Sequence, residues 1–106
     1  MVTARQFEVY RVKGLREGGS VDLVVILQND ILDHLTTRVV APLLPLAEGY
    51  TIDRVVPRVE VEGVPYAVAM HLTATISVRN LATMVGTLES YERALKGAID
   101  MVFFGV

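Results

Sequence analysis

The chain contains no cysteine. That absence excludes disulfide scaffolds and thiolate metal sites, and it fits a reducing cytoplasm. A basic excess is also missing: ten Lys and Arg stand against twelve Asp and Glu, for a formal net charge of −2. Nucleic-acid binders usually carry a basic stripe, so phosphate-backbone binding is not expected as the main activity. No apolar run is long enough to span a bilayer; the longest, residues 39–47, is interrupted by Pro42 and Pro45. The opening "MVTARQFEVYRVKG" carries charge and polarity throughout and does not read as a signal peptide. A soluble, cytoplasmic protein without a membrane partner is expected.

Chemistry-bearing motifs are equally scarce. There is no G-x-S-x-G, no Walker loop and no G-x-G-x-x-G. The two histidines, His34 and His71, have no second ligand at the spacing that metal sites use. His34 follows Asp33 and could form an acid/base pair, but neighbours in a loop are more often a solvated Asp and His. Glu60 and Glu62 alternate with Val59 and Val61, which reads as the wet face of a hairpin. No catalytic residue, cofactor or metal is expected.

What is present is a core. At 106 residues, 52% of them apolar and 21% charged, the chain is one globular domain that buries roughly 60–70% of its unfolded surface. Residues 6–12 alternate as a strand, with Phe7 and Val9 on one face and Glu8 and Tyr10 on the other. "GLREGGS" reads as a glycine-rich loop. The β-branched run over residues 21–27 suits a central strand buried on both faces. "QNDILDHLTTR" reads as a structured loop. "VVAPLLPL" is extended, with its prolines placing it at an edge or a bulge. Residues 51–56 and 58–61 read as short strands broken at Pro57. Glu62-Gly63 reads as a tight turn leading to a return strand in "VPYAVAM". Residues 73–78 alternate cleanly.

Near the end the period changes. Leu88, Tyr91, Leu95, Ile99 and Val102 recur at helical spacing, and Glu89, Arg93, Lys96 and Asp100 occupy another stripe. Thr87 is placed to cap this helix. Gly97 inside it costs about 1 kcal/mol relative to Ala, which suggests close packing against another backbone. The chain then stops on "IDMVFFGV". Phe103 continues the apolar arc and is expected in the core. Phe104, Gly105 and Val106 overhang the helix, as residues do in a dimer interface or at a partner's binding site.

Several stretches resemble the CcdB family, toxins of plasmid-type toxin–antitoxin pairs. "QFEVY" is similar to the family's Gln-Phe-x-Val-Tyr opening. "LQNDILD" resembles its Val-Gln-Ser-Asp-Ile-Ile-Asp stretch, and "RVVAPL" and "VVPRVEVEGVPY" follow as in the family. "KGAIDMVFFGV" resembles its terminal Lys-Asn-Ala-Ile-Asn-Leu-Met-Phe-Trp-Gly-Ile. The likeness covers nearly the whole chain. It implies a mainly β fold with one C-terminal helix: an SH3-like barrel variant related to the MazF and Kid toxins, with a five-stranded antiparallel sheet and a small three-stranded wing. It also implies a homodimer whose C-terminal ends meet near the two-fold axis.

The function it implies is non-enzymatic. Family toxins bind the A subunit of DNA gyrase, trap the cleaved DNA complex and are neutralised by the antitoxin CcdA, through which alone they touch operator DNA. The family's gyrase contacts map to Phe104, Gly105, Val106, Asp100, Ile31, Asn29, Gln6, Phe7 and Tyr10. Four of these depart from the family pattern. Phe104 replaces Trp, whose indole holds a guanidinium more strongly, by up to about 1 kcal/mol per contact. Asn29 replaces Ser, Asp100 replaces Asn and Val106 replaces Ile. Two alternatives therefore stand beside gyrase poisoning. One is a homologue that keeps antitoxin binding and operon co-repression without the gyrase target. The other is a MazF-like endoribonuclease, for which Arg11, Arg16, Arg38 and His34 are candidate residues.

Overall fold

The computed structural model describes residues 4–12, 22–46 and 55–105. The glycine-rich loop, most of the expected strand over residues 51–56, Arg16 and Val106 lie outside the described residues. Among the described residues seven strands precede one α-helix: β1 (Glu8–Val12), β2 (Leu23–Ile26), β3 (Thr37–Pro45), β4 (Arg58–Val61), β5 (Val64–Val68), β6 (Ala74–Ser77), β7 (Leu81–Thr87) and α1 (Glu92–Phe104). All pairings are antiparallel. Among the described residues no helix is long and apolar enough to cross a membrane.

The expected division into a five-stranded sheet and a three-stranded wing is resolved by β3. Its first half, residues 37–40, pairs with β6, and residues 43–45 pair with β5. β6-β3-β2-β1-β7 is thus the five-stranded sheet, β4-β5-β3 is the wing, and β3 belongs to both. This corrects the placement of "VVAPLLPL" at an edge. β3 is central, and Pro42 sits opposite Val24 of β2. The Leu27 amide donates to the Val39 carbonyl, so the odd-numbered residues of β3 bond to β2 and Pro42 faces the other way. There its carbonyl accepts from the Ala69 amide at 3.0 Å. The missing proline N–H falls at the gap where β3 changes partner from β6 to β5, where no ladder donor is required.

β2 is buried along its whole length, as its β-branched run predicts. Leu23 and Val25 join the larger core with Phe7, Val9, Leu43, Leu88, Leu95 and Ala98, under α1. Val24 and Ile26 join a smaller cluster on the opposite face with Ala4, Tyr10, Val40, Ile76 and Leu81. The sheet curls, so that Val61 of β4 faces Gly86 of β7, where an added Cβ would lie 3.8 Å from the Val61 side chain.

Glu62 (φ 53°) and Gly63 (φ 77°) make a two-residue turn with both central residues left-handed, the turn that matches strand twist and favours glycine. Val55 and Val56 form a bend and not a strand. β7 was not anticipated: it lies on the outside of β1 with two register shifts, and such bulges erase the two-residue alternation by which a strand is read.

The helix keeps its expected phase, with three corrections. Thr87 Oγ1 accepts from the Glu89 amide at 3.3 Å just ahead of a single turn whose cap position is Leu88, and α1 itself begins after Tyr91 with no side-chain cap. Gly97 is exposed, and among the described residues a Cβ there would meet nothing within 4 Å, so no described backbone packs on it. Phe103 is 62% exposed and does not complete the core, because it stands over an open groove that it lines with Ile99, Leu27 and Leu32.

Candidate functional site

α1 ends on a glycine for a geometric reason. Gly105 adopts φ +72°, and its amide donates to the carbonyls of Asp100 and Met101, each at 3.1 Å. Closing a helix this way needs a left-handed residue, which glycine supplies at least cost. The stop leaves Phe104 on the last helical position, 74% exposed. Asp100, one turn earlier, is exposed as well.

Beside this end lies an apolar groove of about 290 Å³, lined by Leu27, Gln28, Asn29, Leu32, Val39, Thr73, Ile99 and Phe103. One wall is the helix; the other is the turn over Asp30–Leu32. Asn29 starts that turn, its Oδ1 accepting from the Ile31 amide at 2.9 Å. Ile31 stands out from it, 78% exposed.

The turn is held from β1's approach. The Gln6 amide donates to Asp30 Oδ1 at 2.7 Å, and the Gln6 side chain donates to the Leu27 carbonyl at 3.0 Å. Arg5 pairs with the other Asp30 oxygen at 3.1 Å. Gln6 thus holds Leu27 and Asp30, the residues on either side of the stretch that carries Asn29, and Ile31 follows directly. Asp30 is the hub, and sequence reasoning passed over it although it sits inside the "LQNDILD" stretch.

Phe7 does something different. It is 3% exposed, with φ +69°, a conformation uncommon for a residue with a Cβ and found where surrounding contacts impose it. Two hydrogen bonds of 2.7 Å impose it here, from its amide to the Ile26 carbonyl and to its carbonyl from the Leu88 amide. The strained residue ties the end of β2 to the approach of α1. Tyr10 lies in the core cluster on the opposite face, and its hydroxyl donates to Glu8 at 3.1 Å. Burial, and then the Glu8 carboxylate, push its pKa up to about 12.

The structure therefore gathers Gln6, Asn29, Ile31 and the helix end at one corner. Phe7 braces that corner from inside, and Tyr10 lies across the sheet from it.

Of the described candidates for RNA cleavage, Arg38 and His34 share one hollow and Arg11 lies in another. Arg38 is 3% exposed. Its guanidinium donates to four carbonyls: Ala4 at 3.1 Å, Leu35 at 2.6 Å, Thr37 at 2.8 Å and Asp33 at 2.9 Å. It is a staple that closes the 33–37 loop onto the chain's beginning. His34 lines a hollow beside Arg38, whereas Arg11 lines a separate one with Asp22.

Comparison with known proteins agrees with this architecture. The family model described as "CcdB protein" matches residues 6–105. Among solved structures, the Mycobacterium tuberculosis toxin MazF-mt6 is 26% identical, with a TM-score of 0.73 over 91% of this chain and 95% of that one. A mycobacterial endoribonuclease in complex with its cognate antitoxin is 14% identical, with a TM-score of 0.74 over 92% of each chain, a likeness of fold. No curated protein matches significantly. With its five-stranded sheet, shared wing strand and terminal helix, and with a family match over almost its full length, the chain belongs to the CcdB family and has the fold it shares with MazF-type toxins.

Proposed function

We propose that this protein is the toxin of a toxin–antitoxin pair and that it acts by gripping the A subunit of DNA gyrase with the end of α1, trapping the cleaved DNA complex. The observation that carries the reading is the exposure of Phe104 immediately before the left-handed Gly105. An exposed aromatic at a helix end closed by Gly105, on the same side as the turn that carries an exposed Ile31, is the composition of a binding hot spot. Two copies related by a two-fold axis would present two such tips. The phenyl rings would stack on cationic side chains of the target. Asn29, Ile31, Gln6 and Asp100 flank the tip, Phe7 positions it, and Val106 follows it. Tyr10 acts from the opposite face through β1. A CcdA-like antitoxin neutralises the toxin and connects it to operator DNA.

A second reading, endoribonuclease activity, draws on the likeness to the MazF-type toxin. Against it stands the commitment of Arg38 to backbone carbonyls, which leaves that candidate unable to grip a scissile phosphate. The two readings part in one experiment. Purified protein is incubated with its own host's gyrase and supercoiled plasmid, and in parallel with total RNA. Linear DNA after detergent and protease treatment is the expected result. Its absence at micromolar protein overturns the gyrase reading, and RNA fragments sharing one end sequence establish the second.

A further inference from the structure

The turn over Asp30–Leu32 carries the exposed Ile31, yet none of its three residues is buried. Core packing therefore does not set its pose. A single hydrogen-bonded turn is also marginal by itself, because a helical nucleus is unfavourable until it propagates. The flanks of the turn are fixed, at Leu27 by the Gln6 side chain and at Asp33 by the Arg38 guanidinium. The bonds made inside it run from the Ile31 amide to Asn29 Oδ1 and from the Leu32 amide to the Asn29 carbonyl. They shape the turn without tying it to the rest of the fold. Among the described residues, the one hydrogen-bonding side chain of residues 29–32 that reaches outside this segment is that of Asp30.

What Asp30 reaches is a base that stands without it. At one end of residues 4–7, Arg38 Nε donates to the Ala4 carbonyl at 3.1 Å. At the other, the Phe7 amide donates to the Ile26 carbonyl and the Leu88 amide donates to the Phe7 carbonyl, both at 2.7 Å. The two oxygens of Asp30 have unequal partners on that base. Oδ1 accepts from the part-buried Gln6 amide at 2.7 Å, a short bond strengthened by the charge. Oδ2 meets Arg5 at 3.1 Å, in an exposed pair of the kind that contributes little. Across the apolar groove, Leu32 of the turn faces Ile99 and Phe103 of α1. A turn released from Asp30 therefore changes the spacing between Ile31 and the helix end, and a target that must meet both loses a preorganised surface.

We infer that Asp30 is a positioning residue for the grip on gyrase: through the Gln6 amide it holds the Asn29–Ile31 turn in place and does not itself touch the target. This rests on the gyrase reading of the helix end. Two readouts on the full chain separate the claims. Exchange of the Ile31 amide, followed by NMR without gyrase, reports the turn alone. Calorimetric titration with the gyrase A subunit reports the grip. In Asp30→Ala, Ile31 exchange should quicken about tenfold and gyrase binding weaken about tenfold, with far-UV circular dichroism unchanged. Asp30→Asn keeps an oxygen for the Gln6 amide and should bring both readouts back to within about threefold of wild type. Arg5→Ala removes only the exposed pair and should alter either readout by less than about twofold. In an Ile31→Ala background, Asp30→Ala should weaken binding by no more than about twofold further, since its effect passes through the turn.

Unchanged Ile31 exchange in Asp30→Ala, or no rescue by Asn, would overturn the proposal. So would fully additive losses in the double variant, which would make Asp30 itself a contact. No binding by the wild type overturns the gyrase reading and the grip with it. The exchange rates still decide whether Asp30 holds the turn, so the two failures are told apart.

Discussion

Replacing Arg38 by Met removes every donor while keeping most of the side chain's length, and so isolates what the staple contributes. Hydrogen bonds from a charged group are worth about 1.5–3 kcal/mol each, so the four made by Arg38 amount to roughly 6–12 kcal/mol before offsets. Burying the guanidinium offsets several kcal/mol of this. Water can also reach part of the loop once the side chain is gone, because Asp33 and Leu35 are exposed. The net loss is about 2–4 kcal/mol, in the upper part of the range for single substitutions. For a domain of this size that lowers Tm by on the order of 10 °C. Urea denaturation followed by far-UV circular dichroism measures it, with the slope m checked for constancy. An Arg38→Met protein within about 0.5 kcal/mol of wild type would refute the assignment of Arg38 as a structural staple and return it to the candidates for chemistry.

Three further outcomes are expected. Leu95→Ala, at a fully buried position under the sheet, should cost about 2–5 kcal/mol in the same denaturation experiment. Gly97→Ala should raise stability by about 0.5–1 kcal/mol, since the added Cβ enters open space and the helix gains propensity; a loss of stability would mean that another chain covers this face. Tyr10 should give stability a downward slope between about pH 10 and its raised value of about 12. In that window the unfolded chain releases the phenolic proton and the folded chain keeps it, so stability present below pH 10 is lost as the pH rises. Tyr10→Phe should remove that contribution to the slope.

What could be read from the residues alone followed physical locality. β2 was legible because six of the seven residues 21–27 are apolar and four of them β-branched. The hairpin was legible because Glu62-Gly63 stands between two short β-rich runs, and α1 because its apolar spacing persists from Leu88 to Val102. Features set by distant partners were not legible. Pro42 in a central strand is acceptable only because β3 changes partner there, a fact that depends on β5 and β6. β7 is shaped by its bulged pairing to β1 and has no clean period of its own. Phe103 shares the helix's phase yet is exposed, because phase gives direction around an axis and not whether a groove lies open beneath it. The site shows the same division. The overhang of Phe104 and Gly105 follows from the helix pattern, whereas the roles of Asp30 and Arg38 arise from hydrogen bonds to residues 24 and 34 positions away.

The central claim is that an exposed aromatic at the end of α1 grips gyrase. Calorimetric titration of purified gyrase A subunit with wild-type protein and with Phe104→Ala tests it most directly. A buried aromatic hot spot contributes 2 kcal/mol or more. Wild-type binding should therefore be lost or weakened by at least about 30-fold in the variant, with the fold intact by circular dichroism. Equal binding by the two proteins, or no binding by either, would contradict the account.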